Sequence, residues 1–276
     1  MSSLLGHWAR KMGIYGPARS LKVRLDRLRP SLARHNREMA EFYRPFVPPG
    51  SLVFDIGANV GSRCEIFLGL GARVIAVEPQ PICQDVLMRL FGREERFKLV
   101  PAALGDAPGN ATMFLADMSG LSTLSTEWIG KMKSSGRFSA HDWKQTVSVP
   151  VTTMDALIAE HGSPSFCKID VEGFELNVLS GLSHPLAAVS LELVTETAEN
   201  AVGCIRRLES LARYEYNSSK SETMTMERSE WISANEMIEI IHTTLDPIYF
   251  GDVYARLPHS ATDRMPVGSP DIDSRL

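Results

Sequence analysis

The rhythm of apolar and polar positions changes along the chain. Over residues 17 to 46, Leu21, Leu25, Leu28 and Leu32 recur at helical spacing and Pro30 interrupts them, which predicts two helices. PFVPPG (45 to 50) is a rigid corner. Beyond it, short apolar runs alternate with helical periods. LVFDI (52 to 56) reads as a strand, SRCEIFLGLG as a helix, ARVIAVEP (72 to 79) as a second strand and ICQDVLMRLF as its helix. FKLVPAAL (97 to 104) reads as a third strand. Residues 105 to 150 are irregular, with ATMFLA and VSVPV as two extra strands around a polar loop. MDALIAEHG forms a helix closed by Gly162. FCKIDV (166 to 171) and AAVSLEL (187 to 193) are the fourth and fifth strands. Helices follow near 200 to 213 and at 233 to 242, the latter opened by a Ser233–Glu236 capping box. IYFGDVYARL (248 to 257) is the last strand.

Strands that are apolar throughout and separated by helices imply an α/β fold, its sheet mostly parallel and covered on both faces. The organisation read from the pattern is a helical extension over 1–47, a main domain over 48–257 with an insertion at about 105–150, and a polar tail, 258–276, expected to be disordered.

Composition supports a globular reading: 276 residues, 44% hydrophobic and 22% charged. No apolar run approaches the roughly 18 residues of a membrane span, and no cleavable leader is evident, so the expected compartment is the cytoplasm. Cys64, Cys83, Cys167 and Cys204 show no paired spacing and read as reduced core cysteines. Charge adds an asymmetry. Residues 1–40 hold nine Lys or Arg against Asp26 and Glu38, a net of +7; with −4 overall, the remainder carries −11. Such an arm is either a solvated helix face packed on an acidic body or a contact for an anionic partner. Without interleaved aromatic residues it makes a poor nucleic-acid platform.

The chemistry concentrates at two corners. In SLVFDIGANVG, Asp55 ends a buried strand and Gly57 and Gly61 bracket a turn before a helix. Open α/β sheets bind ligands in this place. Glu78, at the end of the next strand, stands where an acid accepts hydrogen bonds from ribose hydroxyls. A dinucleotide dehydrogenase shares that acid. An acid at the phosphate position, however, repels a pyrophosphate and suits the sulfonium and ammonium of S-adenosylmethionine. The second corner is FCKIDVEGFELNVLSGL (166 to 182), where Lys168 and Asp170 share one strand face and Glu172 follows before Gly173. Such charges are either an ion pair with a solvated glutamate or groups placed beside a reacting centre.

Together FDIGANVG, VEP, PAALGD, VPVTTMDAL and KIDVEGFELNVLSGL, in that order over about residues 51 to 195, resemble the FkbM-type family of S-adenosylmethionine-dependent methyltransferases. The resemblance implies a Rossmann-like class I methyltransferase fold, a seven-stranded sheet with six parallel strands and one reversed, and O-methylation of hydroxyls on natural products, sugars or glycans. It implies that Asp55, Gly57, Asn59 and Gly61 form the methionine-side loop and Glu78 holds the ribose. Ala103, Leu104 and Asp106 would border the adenine, and Ser122 would lie in a turn before the acceptor side. Lys168, Asp170, Glu172 and Glu175 would form the charged signature, with Glu192 the acid after the fifth strand. The stretch 119–146, with Trp128, Phe138, His141 and Trp143, departs from the family pattern, as do the basic arm and 214–232.

Methyl transfer needs an aligned acceptor oxygen and a base. Asp170 is the expected base, Glu172 its partner, and Lys168 the cation that keeps Asp170 ionised; His141 and His184 are alternatives. If a divalent metal takes part, its ligands are Asp170, Glu172 and Glu192. Three readings stand beside the dehydrogenase: a small-molecule or glycan O-methyltransferase, a methyltransferase acting on nitrogen or on a macromolecule, and a non-catalytic binding protein of this fold.

Overall fold

The computed structural model describes residues 30–243, 246 and 248–258, together with Pro17 and Leu21. Most of the first predicted helix, most of the basic arm and the tail from residue 259 lie outside the described residues. In chain order the elements are α1 (Pro30–Tyr43), β1 (Leu52–Ile56), α2 (Ser62–Gly69), β2 (Arg73–Val77), α3 (Pro81–Phe91), β3 (Phe97–Val100), β4 (Ala103–Leu104) and β5 (Gly109–Leu115). After these come α4 (Thr126–Ser135), β6 (Gln145–Thr152), α5 (Met154–His161), β7 (Phe166–Ile169), α6 (Glu175–Ser180) and β8 (Ala188–Val194). The chain continues through α7 (Ala198–Glu209), β9 (Glu215–Lys220), α8 (Ala234–Thr243) and β10 (Phe250–Arg256).

Seven strands form one sheet in the order β3-β2-β1-β7-β8-β10-β9. Only β10 is reversed, antiparallel to both β8 and β9, so six strands run parallel as the family resemblance implies. Helices cover both faces. Residues of α1, α2 and α3, including Met39, Tyr43, Cys64, Phe67 and Leu87, pack with Val53, Val74 and Phe166 on one face. Residues of α5 to α8, including Leu157, Val178, Ile205 and Ile241, pack with Phe54, Ile169 and Leu191 on the other. An aromatic cluster of Tyr43, Phe46, Phe67, Phe166 and Tyr254 pins α1 to the sheet, each well-oriented pair contributing about 0.5–1.5 kcal/mol. All four cysteines are buried and none is in a disulfide.

Three expectations need correction. FKLVPAAL is not one strand: β3 pairs with β2, while β4 crosses to a separate three-stranded sheet, β4-β6-β5. The break falls at Pro101, which lacks an N–H to continue a ladder. The polar loop around 119–146 contains α4, whose signals were present: Ser125 caps it by accepting from the Trp128 N–H, and Gly136 closes it in the left-handed region. Its aromatic residues are the core of the insertion, with Trp128 edge-on to Trp143 and stacked near Phe138. Finally, the unplaced segment 214–232 supplies β9. Its sequence EYNSSK has no strand signal. It is buried because its polar groups find partners: Asn217 bonds the backbone of Arg228 in both directions, and Ser218 donates to Glu227.

Candidate active site

The two charged corners predicted from sequence meet at the carboxyl edge of the sheet. Asp170 N–H donates to the Ile56 carbonyl at 3.0 Å, tying the turn after β7 to the turn after β1. Gly57 makes this approach possible: its φ is +83°, and a Cβ there would stand 1.9 Å from the Asp170 carbonyl oxygen. The glycine therefore serves the joining of two turns as well as any ligand.

An open cavity, about 710 Å³ with the solvent at its mouth included, lies at this junction. Gly57, Asn59, Glu78, Ala103, Leu104, Asp170 and Glu172 all line it, with Val77, Met113 and Leu124 among its apolar walls. Glu78 is buried, and each of its oxygens accepts one backbone N–H, from Asn59 and from Gln80, both at 2.7 Å. Burial pushes its carboxyl up to about 7 against those two bonds. Asn59, at φ +48°, also accepts from the Ser119 hydroxyl at 2.9 Å, and Gln80 Nε2 donates to the Ser119 carbonyl. The insertion is thus fastened to the turns after β1 and β2. Ser122 lines the same wall and accepts from the Ala116 N–H, and the Thr123 hydroxyl donates to the Glu172 carbonyl at 2.7 Å.

Three residues assigned to cofactor binding from sequence, Asp55 and Gly61 of the methionine-side loop and Asp106 beside the adenine, do not line the cavity. Asp55 is buried behind the turn and accepts from the Cys64 thiol at 3.0 Å; burial raises its carboxyl, opposed by the Cys64 bond and by Lys168. A Cβ at Gly61 would strike Phe91 at 2.5 Å and Leu87 at 2.8 Å, so that glycine serves the packing of α3. Asp106 is exposed and outside the lining. The physical reason for Asp55 is strand alternation, which turns its side chain toward α2 rather than along the strand axis.

Behind Asp170, Lys168 is 3% exposed and its Nζ stands 3.1 Å from Asp170 Oδ2. Sequence reading missed its second partner, Asp252 on the reversed strand, at 3.3 Å. Burial alone would depress the Lys168 ammonium; Asp170 and Asp252 outweigh it and hold it well above its ordinary value. The other oxygen of Asp170 makes no hydrogen bond among the described residues. Glu172 sits at φ +55°, a strained setting for a non-glycine residue. Burial first, then the nearby Glu192 and Asp170, drive its carboxyl well above the usual range. Glu192 is raised the same way, by burial and then Asp170. One oxygen from each of Asp170, Glu172 and Glu192 lies within 4.8 Å of the others, a donor set of hard oxygens that suits a divalent cation or a shared proton.

Glu175 plays a local part: Oε1 accepts from the Val171 and Gly173 N–H groups and Oε2 from Asn200, which holds the turn carrying Glu172. Neither His141, paired with Asp117 on the insertion, nor the exposed His184 lines the cavity.

The cavity lining includes three carboxylates, Glu78, Asp170 and Glu172, and no Lys or Arg. A pyrophosphate finds no counter-charge there, whereas a cationic adenosyl donor does, so the residues fit S-adenosylmethionine and not a dinucleotide. No helix among the described residues is long and apolar enough to cross a membrane.

The chain is 25% identical over 213 residues to the methyltransferase sdnD of Sordaria araneosa, covering 67% of this chain and 78% of that protein. Among solved structures, a TehB-like SAM-dependent methyltransferase from Corynebacterium glutamicum aligns with a TM-score of 0.44 at 11% identity, over 87% of this chain and 100% of that one. A precorrin-6y C5,15-methyltransferase from Geobacter metallireducens gives 0.41 at 12%, over 80% and 86%. The model of the methyltransferase FkbM domain matches residues 55–248. That span is well over half the chain and contains both charged corners, and the chain accordingly belongs to the FkbM family of S-adenosylmethionine-dependent methyltransferases.

Proposed function

We propose that this methyltransferase acts on a hydroxyl of a small molecule, a natural product or a sugar, with Asp170 as general base. The observation that carries the reading is Asp170 itself: it lines the donor cavity, one oxygen is held by a buried ammonium, and the other is free to accept a proton. S-adenosylmethionine, when bound, supplies an activated methyl group on sulfur. The chain contributes alignment and proton removal. Glu78 offers the remaining lone pairs of its carboxylate to ribose hydroxyls, and Ala103 and Leu104 give an apolar wall for the base. The Gly57–Asn59 turn leaves room for the methionine end.

A hydroxyl is a weak nucleophile until its proton begins to leave, so the base must lie within hydrogen-bond reach of it. Asp170 takes that proton. Glu172, whose carboxyl burial and then Glu192 and Asp170 push above the usual range, shares a hydrogen bond with the acceptor oxygen and orients it. A second arrangement has its own observation behind it: Asp170, Glu172 and Glu192 could clasp a divalent ion such as Mg²⁺ that draws down the hydroxyl's proton affinity. Chelation separates the two.

The test supplies methyl-labelled S-adenosylmethionine and fractionated cell extract to the wild type and to Asp170→Asn. Label in a small-molecule or glycan fraction, lost in the variant while donor binding persists, supports the proposal. Label in protein or nucleic acid refutes the acceptor class, and undiminished transfer by Asp170→Asn refutes the base.

A further inference from the structure

The buried Lys168 sits between two carboxylates, and only one of them belongs to the cavity. Asp252 reaches it from β10, the reversed strand, which lies beyond the family match that ends at residue 248. A lysine that is 3% exposed needs compensation, and one carboxylate is enough in charge. The second, Asp252, also feels the Arg63 guanidinium, so it stands between two cations while Asp170 faces the cavity.

We propose that Asp252 is a positioning residue for the methyl-transfer base: by taking a share of the Lys168 ammonium it prevents that ammonium from bridging both oxygens of Asp170. The inference rests on the assignment of Asp170 as base. The geometry is that of a divided cation. Lys168 Nζ is 3.1 Å from Asp170 Oδ2 and 3.3 Å from Asp252 Oδ1. Asp252 is held in turn, since Tyr254 donates its hydroxyl to Oδ2 at 3.3 Å, and the Tyr254 and Tyr43 hydroxyls stand 3.5 Å apart. Tyr43 ends α1, so a chain of polar contacts runs from the cavity to a helix outside the family match.

Strand pairing explains why the arrangement is directional. Asp55, Lys168, Ser190, Tyr254 and Asn217 occupy one row across five strands, and Asp252 faces Glu192 and Ser219 one pleat nearer the cavity edge. The lysine therefore rises from the row beneath and meets two acids at the level above. Among the described residues the fully buried Ser190 hydroxyl beside it has no hydrogen-bond partner, so it does not tether Lys168 from that side. With Asp252 uncharged, nothing among these contacts opposes a slide of Nζ onto Asp170, where an ammonium with three donors can engage both carboxylate oxygens. The base would then be masked rather than removed.

The test compares Asp252→Asn, Asp252→Glu, Lys168→Gln and the Lys168→Gln/Asp252→Asn double variant in the full chain. Readouts are labelled-methyl transfer to the extract fraction that the wild type modifies, S-adenosylmethionine affinity by calorimetry, and the ¹³Cε resonance of Lys168, assigned with Lys168→Arg. Asp252→Asn is expected to lower the transfer rate at least tenfold with donor affinity changed less than twofold, and Asp252→Glu to restore most of the rate. In the Lys168→Gln background, Asp252→Asn is expected to add no further loss. The Lys168 resonance is expected to titrate at lower pH in Asp252→Asn. Losses that simply multiply in the double variant, or a wild-type rate in Asp252→Asn, overturn the proposal. An unchanged Lys168 titration overturns the sharing itself. If the wild type transfers no label to any fraction, the methyl-transfer reading fails and the positioning role with it, while the lysine resonance still decides whether Asp252 shares the cation.

Discussion

Glu78 offers the sharpest quantitative test of the donor site. Substitution by Gln keeps the shape of the side chain but leaves one oxygen where there were two, and both wild-type oxygens already accept a backbone N–H at 2.7 Å. Two ribose hydroxyls donating to the ionised carboxylate contribute about 1.5–3 kcal/mol each when the acceptor is charged, so losing the charge and one acceptor is worth about 2–4 kcal/mol. Calorimetry with S-adenosylmethionine at pH 8 should therefore show affinity weaker by roughly 30- to 1000-fold in Glu78→Gln. The pH dependence is a second handle. Because burial pushes the free carboxyl up to about 7, binding to the ionised form weakens below that pH, to about tenfold at pH 6 relative to pH 8. Glu78→Gln removes the slope. The stability of the ligand-free protein moves the other way. The native state holds the proton between pH 4.5 and about 7 while the unfolded chain has lost it, so stability falls across that window by about 3 kcal/mol and levels off above it. Glu175, also raised to about 7, adds a fall of the same sign. An affinity in Glu78→Gln within twofold of wild type, or an unaltered pH slope, would refute the ribose assignment.

Asp170→Asn should abolish labelled-methyl transfer yet bind donor within about twofold of wild type, by the same calorimetry. Gly57→Ala should destabilise the fold by about 1–3 kcal/mol or more, because its φ is +83° and the new Cβ meets the Asp170 carbonyl; thermal denaturation checks it, and an unchanged midpoint contradicts the junction described above. Exhaustive chelation should leave the transfer rate unchanged if Asp170 acts as a free base, whereas a loss restored by Mg²⁺ assigns Asp170, Glu172 and Glu192 as ligands.

The order of strands and helices through the main domain was legible because apolar runs of strand length, glycine turns and capping residues are local signals. LVFDI coincides with β1, and the Ser233–Glu236 box opens α8 with the predicted reciprocal bonds. That Glu78, Asp170 and Glu172 stand together at one edge of the sheet was legible as well, since an acid at the end of a buried strand is costly unless it is paired or at an opening. Other features were not. β9 is polar but for Tyr216, and burial of its polar groups depends on Arg228 and Glu227 arriving from a later loop. Whether Asp55 and Gly61 face the ligand or the helices behind depends on how α2 and α3 pack, and they face Cys64, Leu87 and Phe91. The pairing of Lys168 with Asp252 joins residues 84 positions apart. It exists only because β10 inserts in reverse between β8 and β9, a choice of strand order that no local pattern encodes. What the sequence determined was the supply of strands, turns and acids. The tertiary structure decided which acids share a cation, because buried charges interact through space and burial is a property of the assembled sheet.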